Sequence, residues 1–212
     1  KAKYTLTGGE TGNCATVLQS LGCTVKMDGN HMGTDTFPLI REFYESRGVD
    51  VSSLTYDPNY EGQQDYVLID KTSRTPFSNF QSYFSDSIKR WNTPHEEDIK
   101  SAKVAGIDPF FEGTSEETAR LCHELGVKYV TIDCPYDSLL HKYASINVLS
   151  HEFTDMNYPG RGQEELMKCY AENGSGLTIL THGAKEALYI RAGEEIHTFV
   201  PYKIDVVSTL GA

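Results

Sequence analysis

Two glycine turns hold the residue types best suited to gripping a small polar molecule. In Gly8-Gly9-Glu10-Thr11-Gly12-Asn13 the paired glycines let the backbone come close to a ligand, and the helix start that follows offers unpaired N–H groups. The Asn13 carboxamide donates and accepts at once, which suits a vicinal diol. A plain strand-to-helix turn would use the same residues. In Gly29-Asn30-His31-Met32-Gly33-Thr34-Asp35 a strand end feeds a second helix, and Asp35 either caps that helix or accepts from a ligand hydroxyl. Asp108 and Asp133 close two further predicted strands and stand open to the same two roles, site carboxylate or helix cap.

Other chemistries find no support in the spacing. The seven histidines show neither H-x-x-x-H nor H-x-x-H, which argues against a zinc enzyme, and His31 and His182, though in loops near the candidate turns, read as solvated. The five cysteines are scattered, odd in number and never spaced C-x-x-C, as expected of reduced thiols in a cytosolic protein. There is no nucleophile elbow, no G-x-G-x-x-G and no Walker loop. Lys89-Arg90 before Trp91 reads as solvated surface. A formal net charge of −11 would repel the phosphate backbone of nucleic acid and an anionic membrane surface. No apolar run approaches the roughly 20 residues of a membrane span, and no signal peptide is read at the head of the chain. With 39% hydrophobic and 23% charged residues, the chain can build a core without disulfides. The expectation is a soluble, cytoplasmic protein with no nucleic-acid or membrane partner.

The elements that must position these turns alternate between helix and strand. Gly12–Leu21 sets Cys14, Val17, Leu18 and Leu21 on one helical face and stops at Gly22; Thr24–Asp28 is extended; Thr36–Arg47 is helical and closes at Gly48. Val104–Asp108, Tyr129–Asp133, Ile146–Leu149 and Leu177–Thr181 read as strands. Between them come helices through Ala119–Leu125, Leu139–Tyr143 and Gln163–Glu172, the first opened by a capping box at Thr114-Ser115-Glu116-Glu117. Such alternation predicts an α/β fold with a largely parallel central sheet, whose ligands sit beyond the carboxyl ends of the strands. Gln64–Phe80 and Ala187–Val200 break the pattern as hairpins, the first projecting as a lid. No repeat or linker divides the chain, so residues 1–212 are expected to form one domain with a lid over about 64–80. Lys1 opens without a methionine and Thr209-Leu210-Gly211-Ala212 reads as the start of a helix-capping loop, so both ends are expected to be incomplete and the intact mass to exceed that of 212 residues.

The ordered set of motifs resembles the ribokinase-like (PfkB) family of carbohydrate kinases. A Gly-Gly-x-x-x-Asn loop entering a helix that ends in Leu-Gly spans Gly8–Gly22. A Gly-x-Asp turn follows at Gly33-Thr34-Asp35, a helix end at Gly48-Val49-Asp50, and the lid position at Gln64–Phe80. Later the family's Thr-x-Gly-x-x-Gly-Ala is met by Thr181-His182-Gly183-Ala184-Lys185-Glu186-Ala187, then a hairpin, and its Asp-Thr-x-Gly-Ala-Gly-Asp by Ser208-Thr209-Leu210-Gly211-Ala212. The resemblance implies a three-layer sandwich around a mainly parallel sheet with a small β-lid.

It also implies an ATP- and Mg²⁺-dependent transfer of the γ-phosphate to a sugar hydroxyl. Gly8, Gly9, Asn13 and Asp35 would line the sugar, and Thr181, Gly183 and Thr209 the nucleotide. Gly211 and Ala212 would form an anion hole, with the catalytic base an Asp expected just beyond Ala212. Ser208 departs from the family's first Asp. Ser150 stands for the Asn of its Asn-x-x-Glu, with Glu152 as the candidate for the acidic, metal-organising role. Two other readings stay open: a nucleoside kinase, for which Tyr66, Phe77, Phe80, Tyr83 and Phe84 could clamp a base, and a catalytically silent sugar sensor. The family's habit of pairing through lid strands implies a homodimer.

Overall fold

The computed structural model describes residues 4–70 and 74–205. Contacts divide the chain into two compact units, Lys1–His95 and Glu96–Ala212, taken here in turn.

The first unit begins with helix α1 (Glu10–Ser20), strand β1 (Lys26–Met32), helix α2 (Phe37–Glu45) and strand β2 (Asp50–Tyr56). β1 and β2 run parallel, joined by α2 as the crossover, with Lys26 opposite Asp50 and Met32 opposite Tyr56. α1 starts two residues earlier than its apolar spacing suggests, because Gly9 at φ 78° turns the chain and Glu10 brings an acidic side chain to the positive end of the helix. The core joins Ala15 of α1, Tyr44 of α2, and Val49, Val51 and Leu54 around β2. Gly12 is what lets α1 approach so closely, since a Cβ there would lie 2.6 Å from the Tyr44 hydroxyl. The unit continues with the predicted hairpin, β3 (Asp65–Ile69) antiparallel to β4 (Arg74–Ser78), which forms a two-stranded sheet of its own. Helix α3 (Phe80–Ser85) follows, and its Phe80, Tyr83 and Phe84 cluster with one another and with Trp91.

The second unit runs α4 (Glu96–Ser101), β5 (Val104–Ile107), α5 (Glu112–Glu124), β6 (Lys128–Ile132), α6 (Leu139–Tyr143), β7 (Ile146–Ser150), α7 (His151–Asn157), α8 (Gln163–Asn173), β8 (Leu177–Thr181), β9 (Ala187–Ile190) and β10 (His197–Phe199). Its sheet has the order β10-β9-β8-β7-β6-β5. β5 to β8 are parallel, and β9 and β10 fold back as the predicted antiparallel hairpin. Two apolar clusters carry it, one around Ala119, Cys122, Tyr129 and Leu140, the other around Leu149, Met167, Tyr170 and Leu180. Burying about 150–250 Å² per aromatic ring makes Tyr129 and Tyr170, each at most 1% exposed, the largest single contributors.

His141 is a titratable group held inside this core, 3% exposed. The His141 ring nitrogen Nε2 lies 2.8 Å from the Tyr170 carbonyl, which can only accept, so Nε2 carries the proton; Nδ1 then accepts from the Asn147 carboxamide at 3.2 Å. Burial pushes the His141 pKa below its ordinary value, against the opposing pull of the Tyr170 carbonyl. Burial and this pattern of hydrogen bonds both favour the neutral ring.

The expected capping box at Thr114–Glu117 is not used as one. α5 begins at Glu112, and no side chain caps Phe111. The Ser115 hydroxyl instead donates to the Asp108 carbonyl at 2.7 Å and accepts from the Phe111 N–H at 3.1 Å, closing the turn that brings β5 into α5. Among the described residues no helix is long and apolar enough to cross a membrane.

Candidate functional site

In the first unit the predicted substrate residues sit at the starts of α1 and α2; the two helices meet through Gly12, near the start of α1, and Tyr44, in the last turn of α2 away from Asp35. Gly8 and Gly9 are exposed, and a Cβ built on either would meet nothing within 4 Å, so the loop is open on its outer side. Asn13 lies one turn into α1, its N–H donating to the Gly9 carbonyl at 2.9 Å and its side chain half-buried. Asp35 was open to two roles, and the geometry removes one of them. The N-cap of α2 is Thr36, and no side chain caps the helix. The exposed Asp35 carboxylate takes a 3.2 Å hydrogen bond from the Thr34 hydroxyl and is otherwise turned outward. A carboxylate held this way can accept from a ligand hydroxyl.

The backbone of the same turn is held from the far side. The Thr34 N–H donates to the Tyr60 carbonyl at 2.7 Å and the Asp35 N–H to the Glu61 carbonyl at 2.9 Å. Sequence reasoning missed this strap, because residues 57–64 carry no periodic pattern.

In the second unit Thr181 ends β8, and its hydroxyl donates to the Leu149 carbonyl at 3.1 Å, pinning β8 to β7. Gly183 follows at φ 58° with open space around it. The Thr-x-Gly turn thus presents its backbone outward, with a depression of about 410 Å³ beside it lined by Gln163, His182, Lys185, Glu186 and Leu188. His182 is half-buried at the surface. Its Nε2 lies 2.7 Å from the Gln163 carboxamide nitrogen, and its ring stacks on His151 with centroids 5.6 Å apart. The register Ser150 opposite Thr181 explains the stacking, since it sets the next residue of each strand side by side.

A second depression of about 400 Å³ opens beyond β5 and β6, lined by Phe110, Glu112, Glu116, Asp133, Cys134 and Ser138 among others. Glu112 and Asp133 are the non-glycine residues with positive φ among the described residues, at 50° and 37°. Asp133 does not cap a helix with its own side chain. Its carboxylate accepts from the Ser150 N–H at 2.6 Å and from the Ser150 hydroxyl at 2.9 Å, while that hydroxyl accepts from the Phe153 N–H at 3.1 Å and so caps α7. Asp108 binds the Phe110 N–H at 3.0 Å within its own turn. Glu152 stands on the first turn of α7, 70% exposed and 3.0 Å from His151 Nδ1. Cys134 faces the depression as a thiol, its pKa pushed up to about 11 by burial. Thr209, Gly211 and Ala212, expected to line the nucleotide and the anion hole, lie outside the described residues.

A sequence model described as pfkB family carbohydrate kinase matches residues 5–212. Solved structures agree over nearly the whole chain. A PfkB protein from Polaromonas sp. JS666 is 15% identical with a TM-score of 0.79, the match covering 96% of this chain and 76% of that one. Arabidopsis thaliana ribokinase, solved with ribose and ATP, is 16% identical with a TM-score of 0.73, covering 94% and 68%. A fructokinase from Xylella fastidiosa is 14% identical with a TM-score of 0.76, covering 97% and 72%. No curated protein matches in sequence. At such identities the likeness is one of fold, and the fold is ribokinase-like, mixed α/β with a mostly parallel central sheet.

Proposed function

Because the chain belongs to the pfkB family of carbohydrate kinases, we propose that it transfers the γ-phosphate of ATP to a hydroxyl of a sugar bound at the starts of α1 and α2. The observation that carries this reading is the exposed Asp35 carboxylate, free of helix capping, in the same unit as the open Gly8–Gly9 loop. Asn13 and Asp35 hold the hydroxyls, one donating and accepting, the other only accepting. The open turn at Thr181–Gly183 offers backbone N–H groups to the nucleotide, beside Lys185 and His182.

Phosphoryl transfer asks mainly for positioning and for neutralisation of charge. Mg²⁺ would supply the latter by binding phosphate oxygens. Glu152, exposed on the first turn of α7, offers the type of oxygen donor a hard cation takes, whereas both Asp133 oxygens are held by Ser150. The β3–β4 hairpin serves as a lid that keeps water from the transferring group. Among the described residues its two-stranded sheet has no further strand on either edge, which suits pairing with a second copy.

The aromatic residues bear on the nucleoside alternative. Tyr83 and Phe84 pack on each other and on Trp91 and so serve local structure, while Phe80 meets Phe84 and stays 48% exposed. Tyr66 and Phe77 remain exposed, directly opposite each other on the hairpin, which suits covering a sugar better than clamping a base from two sides.

The test is ADP release with Mg-ATP and a panel of pentoses, hexoses, ketoses, sugar acids and nucleosides. Sugar-dependent turnover is expected, reduced on the order of tenfold or more in kcat/KM by Asp35→Asn, as befits loss of a charged hydrogen bond. Turnover with nucleosides alone would replace this reading. ATP binding without turnover on any acceptor would move the protein to the sensor class.

A further inference from the structure

The strap behind Asp35 is an unusually tight junction. A Cβ on Gly33 would lie 2.2 Å from the Gly62 nitrogen and 2.5 Å from the Tyr60 carbonyl oxygen, and a Cβ on Gly62 would lie 2.0 Å from the Thr36 Oγ1. Gly62 holds φ 109°, a conformation that side chains rarely adopt, so the glycine is needed there for backbone shape as well as for space. Thr36, 8% exposed, closes the junction: its hydroxyl accepts from the Gly33 N–H at 3.2 Å. Two main-chain hydrogen bonds from Thr34 and Asp35 to Tyr60 and Glu61 complete it. The next residue, Gln63, reaches across the base of the hairpin, 3.0 Å from Asp65 Oδ1 and 3.4 Å from Ser78 Oγ. Contact is therefore continuous from the Asp35 turn through Gly62 and Gln63 to both strands of the hairpin.

We infer that Gly33, Thr36 and Gly62 are positioning residues that yoke the β3–β4 hairpin to the Asp35 turn, so that the lid and the sugar-binding carboxylate move as one body. The functional part rests on the sugar-kinase reading above; the mechanical part does not. Bistable movement needs a rigid element with a defined hinge, and this junction leaves no hinge between Asp35 and Gly62. A sugar hydroxyl that engages Asp35 thereby orders the hairpin, and a hairpin that opens withdraws the carboxylate. Sugar affinity would then depend on a side chain, Thr36, that touches no sugar.

The experiment compares Thr36→Val, which keeps the volume and removes the acceptor of the Gly33 N–H, with Thr36→Ser, which keeps the acceptor. In the full chain, amide exchange is followed at Thr34 and Asp35 and at the hairpin residues 65–69, alongside KM for the sugar and for ATP. Thr36→Val is expected to speed exchange in the turn and the hairpin together. It should raise the sugar KM about fivefold to tenfold, the worth of about one hydrogen bond, with the ATP KM unchanged and Thr36→Ser near wild type. Faster exchange confined to the turn overturns the yoke, as does a Thr36→Ser as impaired as Thr36→Val. An unchanged sugar KM in Thr36→Val, in an enzyme that does turn over sugar, overturns the functional part. If no sugar supports turnover at all, joint acceleration of turn and hairpin still establishes the yoke, while the kinase reading falls on its own.

Discussion

The Asp133 carboxylate takes both the N–H and the hydroxyl of Ser150, at 2.6 and 2.9 Å, and so ties the end of β6 to the cap of α7. Asp133 accepts a left-handed backbone, φ 37°, to make this reach; among non-glycine residues Asp and Asn bear that conformation best. The Ser150 hydroxyl in turn accepts from the Phe153 N–H, so one short side chain serves a strand end and a helix start. Ser150→Ala removes a cap and a charge-assisted bond together and is expected to cost about 1–2 kcal/mol. Asp133→Asn keeps the backbone and should cost a similar amount. The Asn oxygen still accepts from the Ser150 N–H, so what the two changes share is the hydroxyl–carboxylate bond, and the double variant should fall short of the sum by about that bond. Urea unfolding measures all three; strict additivity would show that the contact contributes nothing.

His141 predicts a pH dependence of stability. Its imidazole is buried and its pKa is lowered on folding, so the unfolded chain takes up the proton first as pH falls. The contribution of neutral His141 is whole above the unfolded value near pH 6.5 and is lost as pH falls from there to the lower folded value. His141→Gln should flatten this part of the profile while lowering stability at pH 7.5, since the packed ring goes with it. Gly174 gives an independent check: a Cβ there would lie 2.5 Å from His141 Nε2, so Gly174→Ala should push the ring from its place and lower Tm. A wild-type midpoint unchanged between pH 7.5 and 5.5 would mean that His141 is not held neutral.

The strands of the second unit were readable because each is a short apolar or β-branched run with a polar or glycine stop. β2 was not, because its buried residues, Val51 and Leu54, are three apart and do not alternate. α7 escaped notice because it starts at the residue after β7 ends, with Ser150 as strand end and cap at once. The box at Thr114–Glu117 satisfied a local rule, yet Ser115 was claimed by the turn from Asp108, which only the placement of β5 against α5 creates. The candidate site divides the same way. Gly8, Gly9 and Asp35 could be picked out because local turn chemistry demands their types. The His151–His182–Gln163 contact could not, because residues from three separate elements meet only once β7 and β8 are in register.

Thiol labelling tests burial in both units. Cys14 and Cys23 are exposed, whereas Cys122 and Cys134 are buried and their pKa values pushed up to about 11 by the loss of water. Cys14 is also raised by partial burial. A disulfide reagent at pH 8 is therefore expected to take Cys23 first and Cys14 next, and to reach Cys122 and Cys134 only as the chain unfolds. Rapid native labelling of Cys134 would show that the depression beyond β5 and β6 opens in solution to its floor.

Tyr66 and Phe77 face each other across the hairpin, 67% and 56% exposed. Exposed cross-strand pairs of this kind contribute about 0.2–1 kcal/mol, too little to justify two aromatic rings in water on stability alone. If they cover the sugar, the double variant Tyr66→Ser, Phe77→Ser should keep Tm within a few degrees, raise the sugar KM several-fold, and leave the ATP KM untouched. If they instead meet a second copy, the same variant should shift the light-scattering mass from dimer to monomer. An unchanged sugar KM and an unchanged mass together would remove the hairpin from both roles.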